Sequence, residues 1–228
     1  MLRDIIIDKE LFNNIRKKAL ESEEEENSPK EVELLEKAVF KRLKKKRSVK
    51  KYRKLGVTKE DLKEIIELAD ILSLDALGGP SNYEIAREHQ EWCTICGRCC
   101  RESESIFIHK DELNLLLTFN PDLKKGIIPN KLFPEHFELK NIQPCKYIDP
   151  ETNKCGIYNS RPQVCRSYPL VLIESGGKAR NIINMRHNCN YSVNLILEKS
   201  IILFDDAIRR LEEKNRSFNK SRNRAECC

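Results

Sequence analysis

Long apolar runs are missing from this chain. The start, Met1-Leu-Arg-Asp-Ile-Ile-Ile-Asp, has no apolar stretch long enough for a signal peptide, so none is expected, and nothing elsewhere reaches the roughly 18 apolar residues that a bilayer span requires. A cytoplasmic protein is expected. No Ser-His-Asp, Cys-His or paired-carboxylate spacing singles out a catalytic acid, base or nucleophile. There is no glycine-rich nucleotide loop and no internal repeat.

What is present is a chain of 228 residues, 39% hydrophobic and 34% charged. That is polar for a globular protein, yet the Leu, Ile and Val content excludes wholesale disorder. The length accommodates one ordinary domain of roughly 100 to 200 residues plus an appendage. The pattern predicts an α+β fold in three parts. These are a charged helical extension over 1–57, a cysteine-rich domain with flanking helices over 58–214, and a flexible basic tail over 215–228.

Residues 8–54 read as two helices. Ser28-Pro29-Lys30-Glu31 opens the second, with an N-cap Ser, Pro at the first helical position and a Glu reaching back, and Leu35, Val39 and Leu43 share its face. Charge is segregated here: Glu21–Glu26 holds five Glu in six residues, and Lys41–Lys54 holds ten Lys or Arg in fourteen with no acid. The basic run reads either as one side of a solvated hairpin whose opposite charges attract, or as a phosphate-binding patch for nucleic acid. Tyr52 is its only aromatic, so no stacking platform accompanies it.

Thr58–Asp61 opens a third helix whose Leu62, Ile65, Ala69 and Leu72 form one buried stripe, with Gly78-Gly79-Pro80 as its stop. Ser81–Glu84 caps a short helix leading to Trp92. Beyond Cys100 the expected elements are short: a strand at Ser105–Ile108, a helix at Asp111–Thr118, and a hairpin of Leu170–Ile173 with Arg180–Ile183 turning at Gly176-Gly177. A long amphipathic helix over Ser192–Glu213 closes the fold, with Ile196, Leu203, Ile208 and Leu211 apolar, and the polar chain from Asn215 is expected to fray.

Ten cysteines are the chemical signal, because thiols in a reducing compartment serve as ligands or redox groups rather than as a disulfide framework. Cys93, Cys96, Cys99, Cys100, Cys145, Cys155, Cys165 and Cys189 fall within one segment; Cys227 and Cys228 end the chain and are left out of the ligand set. The first four form a C-x2-C-x2-C-C run, in which Gly97 permits the tight backbone that presents successive sulfurs to one centre. Successive x2 spacings favour an iron-sulfur centre, whereas zinc ribbons use two separated C-x2-C pairs. Adjacent residues of an extended chain point oppositely, so Cys99 and Cys100 are expected to serve different centres, and eight thiolates suit two sites of four.

Asp149–Asn153 has turn composition, so Cys145 and Cys155 are expected to meet across a short hairpin. Cys165 lies on a brief helix between Pro162 and Pro169. Arg98, Arg161 and Arg166 are the cations placed to offset thiolate charge, and His187 is the one histidine near a cysteine in sequence.

These motifs, together with Pro144-Cys145, Cys155-Gly-Ile-Tyr158, Arg161-Pro162, Cys165-Arg166, Tyr168-Pro169 and Cys189, resemble the CxxCxxCC family of zinc- or iron-chelating proteins. Some members are labelled iron-sulfur oxidoreductases. The resemblance implies metal chelation through the eight cysteines, and iron-sulfur or zinc as cofactor. A similar cysteine domain in flagellin lysine methylase makes a protein-modifying enzyme one reading, although the C-x3-C-x2-C spacing of radical enzymes is absent. The readings carried forward are an iron-sulfur protein working with a redox partner, and a structural zinc module whose basic arm contacts nucleic acid or an acidic partner. Short irregular segments bury little apolar area, so the metal is expected to contribute much of the stability between Cys93 and Cys189.

Overall fold

The computed structural model describes residues 2–7, 10–11, 13–14, 17, 29–72, 74–102, 105–119, 121–131, 134–140, 144–175, 178–183 and 187–225. The first of the two helices expected over 8–54 lies partly outside them. Glu21–Glu26, Ser28, the Gly176-Gly177 turn, Cys227 and Cys228 lie outside them entirely. The described chain is α+β and helix-rich, with a three-stranded antiparallel sheet, a two-stranded one and a long C-terminal helix. It divides into two compact units, residues 1–85 with 172–228, and residues 86–171.

The first unit is helical. In it α1 (Arg3–Ile6), α2 (Pro29–Leu43), α3 (Arg47–Tyr52) and α4 (Lys59–Ile71) accompany the helix Asn190–Ala225, on which α1, α2 and α4 pack. Leu35, Val39 and Leu43 of α2 are fully buried, as are Leu62, Ile65 and Ala69 of α4, because the 3.6-residue period brings each set to one side. Each of the Leu, Ile and Val side chains stabilises the fold by about 1.5–3 kcal/mol. On the long helix Ile196, Leu203 and Ile208 are buried and Leu211 is half-buried. This helix continues past Glu213 to Ala225 although its residues from Glu213 to Phe218 are exposed. The Lys, Arg and Ala there sustain helix by intrinsic propensity, which an apolar stripe does not report. Arg42 of α2 donates to Asn190 Oδ1 and Asn194 Oδ1, one turn apart on that helix.

The α4 helix stops at Ile71, well before the Gly78 expected to end it. Leu72 N–H still reaches Leu68 O (2.9 Å), but its own backbone is extended. A 3₁₀ turn at Leu74–Leu77 follows, and it is this turn that Gly78 ends, at φ +75°.

The second unit follows α5 (Asn82–Glu88), which Ser81 and Glu84 cap reciprocally, and α6 (Arg98–Glu102). Its sheet has the order β1 (Ser105–His109), β3 (His136–Lys140), β2 (Ile127–Pro129), with α7 (Lys110–Phe119) between β1 and β2 in sequence. In register, Ile106, Leu139 and Ile127 form one row, and Phe107, Glu138 and Ile128 the next. Alternation sends Leu139 and Ile108 into a small core with Leu113 and Leu116, while Phe107 and Ile128 are exposed. Tyr147 and Ile157 pack against that core. A brief helix, α8 (Gln163–Ser167), leads to the two-stranded sheet of β4 (Leu170–Ser175) and β5 (Lys178–Ile183), and the long helix Asn190–Ala225 is α9. Among the described residues no helix is long and apolar enough to cross a membrane.

The start of α4 is a full capping box that also ties down α1. Asp61 N–H donates to Thr58 Oγ (3.1 Å), and Asp61 Oδ2 accepts from Thr58 N–H (3.0 Å) and Thr58 Oγ–H (2.9 Å). Asp61 Oδ1 accepts from Leu2 N–H (3.2 Å). Burial desolvates this carboxylate and pushes its pKa up, but the bonds from Thr58 and Leu2 outweigh that and hold it below the usual value. Asp61→Ala is therefore expected to cost about 1–3 kcal/mol in urea unfolding. Because the folded pKa lies below the unfolded value of about 3.9, the stabilisation is present above that pH and lost as pH falls through the folded pKa. Asp61→Asn should flatten this acid limb of the stability curve.

Candidate metal centre

The cysteine run is shaped by backbone that ordinary residues avoid. Ile95 and Gly97 have φ of +53° and +67°, so the chain folds back between Cys93 and Cys99 before α6 carries Cys99 and Cys100. A Cβ on Gly97 would lie 2.1 Å from the Asn153 carbonyl oxygen and 2.8 Å from Ile148 Cδ1. The run is thus pressed against the turn at Asp149–Asn153. Arg101 completes the contact, donating to Asn153 Oδ1 (2.8 Å) and to Cys96 O (3.2 Å).

The opposing turn is built by its own polar groups. Asp149 Oδ1 accepts from the N–H groups of Glu151 (2.9 Å) and Thr152 (2.7 Å), an Asx turn, and Asp149 N–H donates to Lys154 O (2.8 Å). Ile148 bridges Cys155 in antiparallel pairing, and Gly156 N–H reaches Tyr147 O (2.8 Å). Cys145 N–H donates to Cys100 O (2.7 Å), which joins this hairpin to α6.

These contacts gather sulfurs from distant parts of the chain. The Cys100 thiol hydrogen-bonds with both Cys145 and Cys99. Those two bonds hold Cys100 protonated far above the usual thiol range, and the same bonds lower the pKa of Cys99 and of Cys145. Cys99 gains further support from backbone N–H groups and the Arg161 charge, and Cys145 from Tyr147 N–H and Lys146. Burial raises the Cys155 pKa against a hydrogen bond from Ile157 N–H. Cys165 is pushed up to about 12, chiefly by burial, and the negative charges of Cys99, Cys145 and Cys155 add to it. Five thiols therefore occupy one electrostatic neighbourhood. The extended backbone expected to send Cys99 and Cys100 to opposite sides is not found: they lie on a helix, where successive residues are about 100° apart.

The other predicted groups are placed differently. Cys93 is half-buried with its sulfur hydrogen-bonded to Tyr158, and Cys96 is exposed. Cys189 is half-buried and belongs to the other unit, just ahead of α9. Among the described residues no three His, Cys, Asp or Glu side chains converge as a ready metal cage; the thiols form a hydrogen-bonded relay instead. Arg161 lies over the Tyr158 ring, 4.0 Å from its centroid, and donates to Gln90 Oε1 (3.0 Å). Its charge reaches Cys99, Cys155 and Cys165. Arg166 Nε instead donates to Arg161 O (2.9 Å). His187 lies in the first unit, His89 stacks on Trp92 at 4.0 Å, and His109 meets Asp111, Glu135 and His136. Sequence reading missed Tyr158, Gln90 and Arg101, because their partners lie up to 71 residues away and no spacing announces them.

Two outcomes are expected. Gly97→Ala combines a left-handed φ with a clash against backbone, whereas Gly56 (φ +94°) has nothing within 4 Å of an added Cβ. Gly56→Ala should therefore lose only the roughly 1–2 kcal/mol of left-handed strain, and Gly97→Ala considerably more, read as the unfolding midpoint together with zinc or iron uptake. In metal-free protein, thiolate ultraviolet absorbance should begin to rise below the ordinary thiol range and continue above it. Cys99 and Cys145 ionise below the ordinary thiol value of about 8.5, and Cys165 only near 12. A single step at the ordinary value would contradict the relay.

Residues 92–190 match the model of the CxxCxxCC family, described as a "Putative zinc- or iron-chelating domain". The matched span runs from Trp92, ahead of Cys93, to Asn190, after Cys189, and so takes in all eight cysteines. No curated protein and no solved structure matches the chain. Over residues 92–190 the chain is thus similar to the CxxCxxCC zinc- or iron-chelating domain.

Proposed function

We propose that the thiols of the second unit hold iron as a thiolate-ligated iron-sulfur centre, and that this centre exchanges electrons with a partner protein. The observation that carries the reading is the gathering of Cys99, Cys100, Cys145, Cys155 and Cys165 from three chain segments into one mutually interacting group. The donor set fits: sulfur ligands suit iron-sulfur clusters and zinc far better than oxygen-seeking cations. Cys93 and Cys96, on the same loop, are the remaining ligand candidates of this unit.

An iron-sulfur cluster supplies a one-electron couple that no side chain here provides. The chain's own residues prepare for it. Cys99 and Cys145 are biased to the thiolate form that a metal ligand must take. Tyr147 and Ile157 direct backbone N–H groups at the Cys145 and Cys155 sulfurs, the kind of hydrogen bond that tunes a cluster's potential. Arg161 offsets the negative charge of several thiolates. Exposed Cys96 marks an edge of the loop that a redox partner can approach.

A structural zinc site is the second reading. It is favoured by the small core under the hairpin, four buried residues, which leaves the unit in need of a cross-link.

Anaerobic purification with metal and sulfide analysis decides between them. Iron with acid-labile sulfide is the expected result, and colourless zinc-loaded protein overturns the redox reading in favour of the structural one. Cys145→Ser and Cys165→Ser should each lose most of the bound metal. Retention of full metal by both would remove the gathered thiols as the ligand set. Metal removal should also speed tryptic cleavage at Lys154 and Arg166, since binding stabilises the folded form by mass action.

A further inference from the structure

The first unit carries a second chemistry in its basic segment. Of the ten Lys and Arg residues between Lys41 and Lys54, Arg42 alone turns onto α9, where it meets Asn190 and Asn194. Among the described residues, none of the other nine forms an ion pair with a carboxylate; Lys44 and Lys51 lie over the neighbouring rings of Phe40 and Tyr52. The contrast is local. Lys37, one turn before the segment, pairs with Glu33, and Arg209 and Arg210 on α9 pair with Asp206.

The cations stand on a fixed support. Leu43 and Val49 are fully buried, and Tyr52 Oη donates to Glu212 at 2.9 Å while its ring meets the edge of Phe204 at 6.2 Å. Arg47, Lys50, Lys51 and Lys54 recur at the i, i+3, i+4, i+7 spacing of one helical face, and all four are exposed. Lys45 and Lys46 extend that surface through the preceding turn, also exposed. Holding so many exposed like charges together raises the free energy of the isolated protein, and a polyanion relieves it.

The chemistry of the face selects the polyanion. Among the described residues, none of the exposed large apolar ones, Leu11, Phe107, Leu115, Ile128 and Phe218, lies in the segment, so none of them there can insert into a lipid surface. The same lack removes the apolar anchor that a protein partner would need. Single strands are held by stacking on free aromatic rings, and Tyr52 is already engaged. What remains is a dense, regularly spaced phosphate array read without its bases. We infer that the Arg47–Lys54 face, with the Lys44–Lys46 turn, docks the backbone of double-stranded nucleic acid without sequence readout.

Fluorescence anisotropy of the full chain with a labelled mixed-sequence DNA duplex tests this. Four neutralised phosphates give a slope of about −3.6 in log affinity against log salt, an affinity loss of about 150-fold between 50 and 200 mM. Two unrelated duplexes should bind alike, and the corresponding single strand more weakly. K45E/K46E and R47E/K50E should each weaken binding by about 10-fold or more. K124E/K125E, at exposed positions of the other unit, makes the same change in net charge and should leave binding in place. Circular dichroism reports whether the variants fold; if a charge reversal does not, the neutral K45Q/K46Q pair and the salt slope of the unmodified chain decide. No duplex binding at 50 mM salt, equal losses in the K124E/K125E control, a slope shallower than about −2, or a preference for phosphatidylserine vesicles or single strands overturns the proposal.

Discussion

The centre depends on one close approach, the backbone of Gly97 against the carbonyl of Asn153. No side chain fits between them, so the cysteine run and the Asp149–Asn153 turn meet main chain to main chain. Arg101 then bonds both sides, and Cys145 N–H bonds Cys100 O. Sulfurs far apart in sequence come into contact because two loops are locked together first. The left-handed, β-branched Ile95 costs conformational energy, which the surrounding hydrogen bonds must offset, whereas Gly97 adopts its positive φ freely.

Core and site are coupled through the spacing of the hairpin. Tyr147 and Ile157 each follow a cysteine by two residues, and each does two things. Their side chains pack on the core of Ile108, Leu113, Leu116 and Leu139, while their N–H groups point at the Cys145 and Cys155 sulfurs. The apolar core therefore fixes where those sulfurs stand. Cys165 is set by a different tie: Gln163 N–H, at the start of α8, donates to Glu112 Oε1 of α7 at 2.7 Å. Loops that bury little area of their own borrow rigidity from the sheet and from α7.

The two units divide the chemistry. The five gathered thiols, with Arg161 and Lys146 as nearby cations, belong to the second unit, and the exposed basic face belongs to the first. Tyr52 shows how the first unit spends its polar groups: its hydroxyl and ring fasten α3 to α9 and leave only charge at the surface. Thiolate ligation needs directional groups in fixed positions, whereas phosphate attraction needs density of charge and tolerates rotation of each side chain.

Local physics was legible in the sequence. The Thr58–Asp61 and Ser81–Glu84 boxes, the buried stripe of Leu62, Ile65 and Ala69, the strand at β1 and the turn at Asp149–Asn153 all follow from patterns a few residues long, which is the range over which caps, periods and turns act. The cysteine spacing pointed to the family model that residues 92–190 match for the same reason, since ligand steps along one loop are local. The end of α4 at Ile71, the helical setting of Cys99 and Cys100, the reach of Arg161 to three thiols and the wedge of Gly97 against Asn153 were decided only by tertiary structure. Each is a contact between segments whose separation in sequence carries no record of their distance in space.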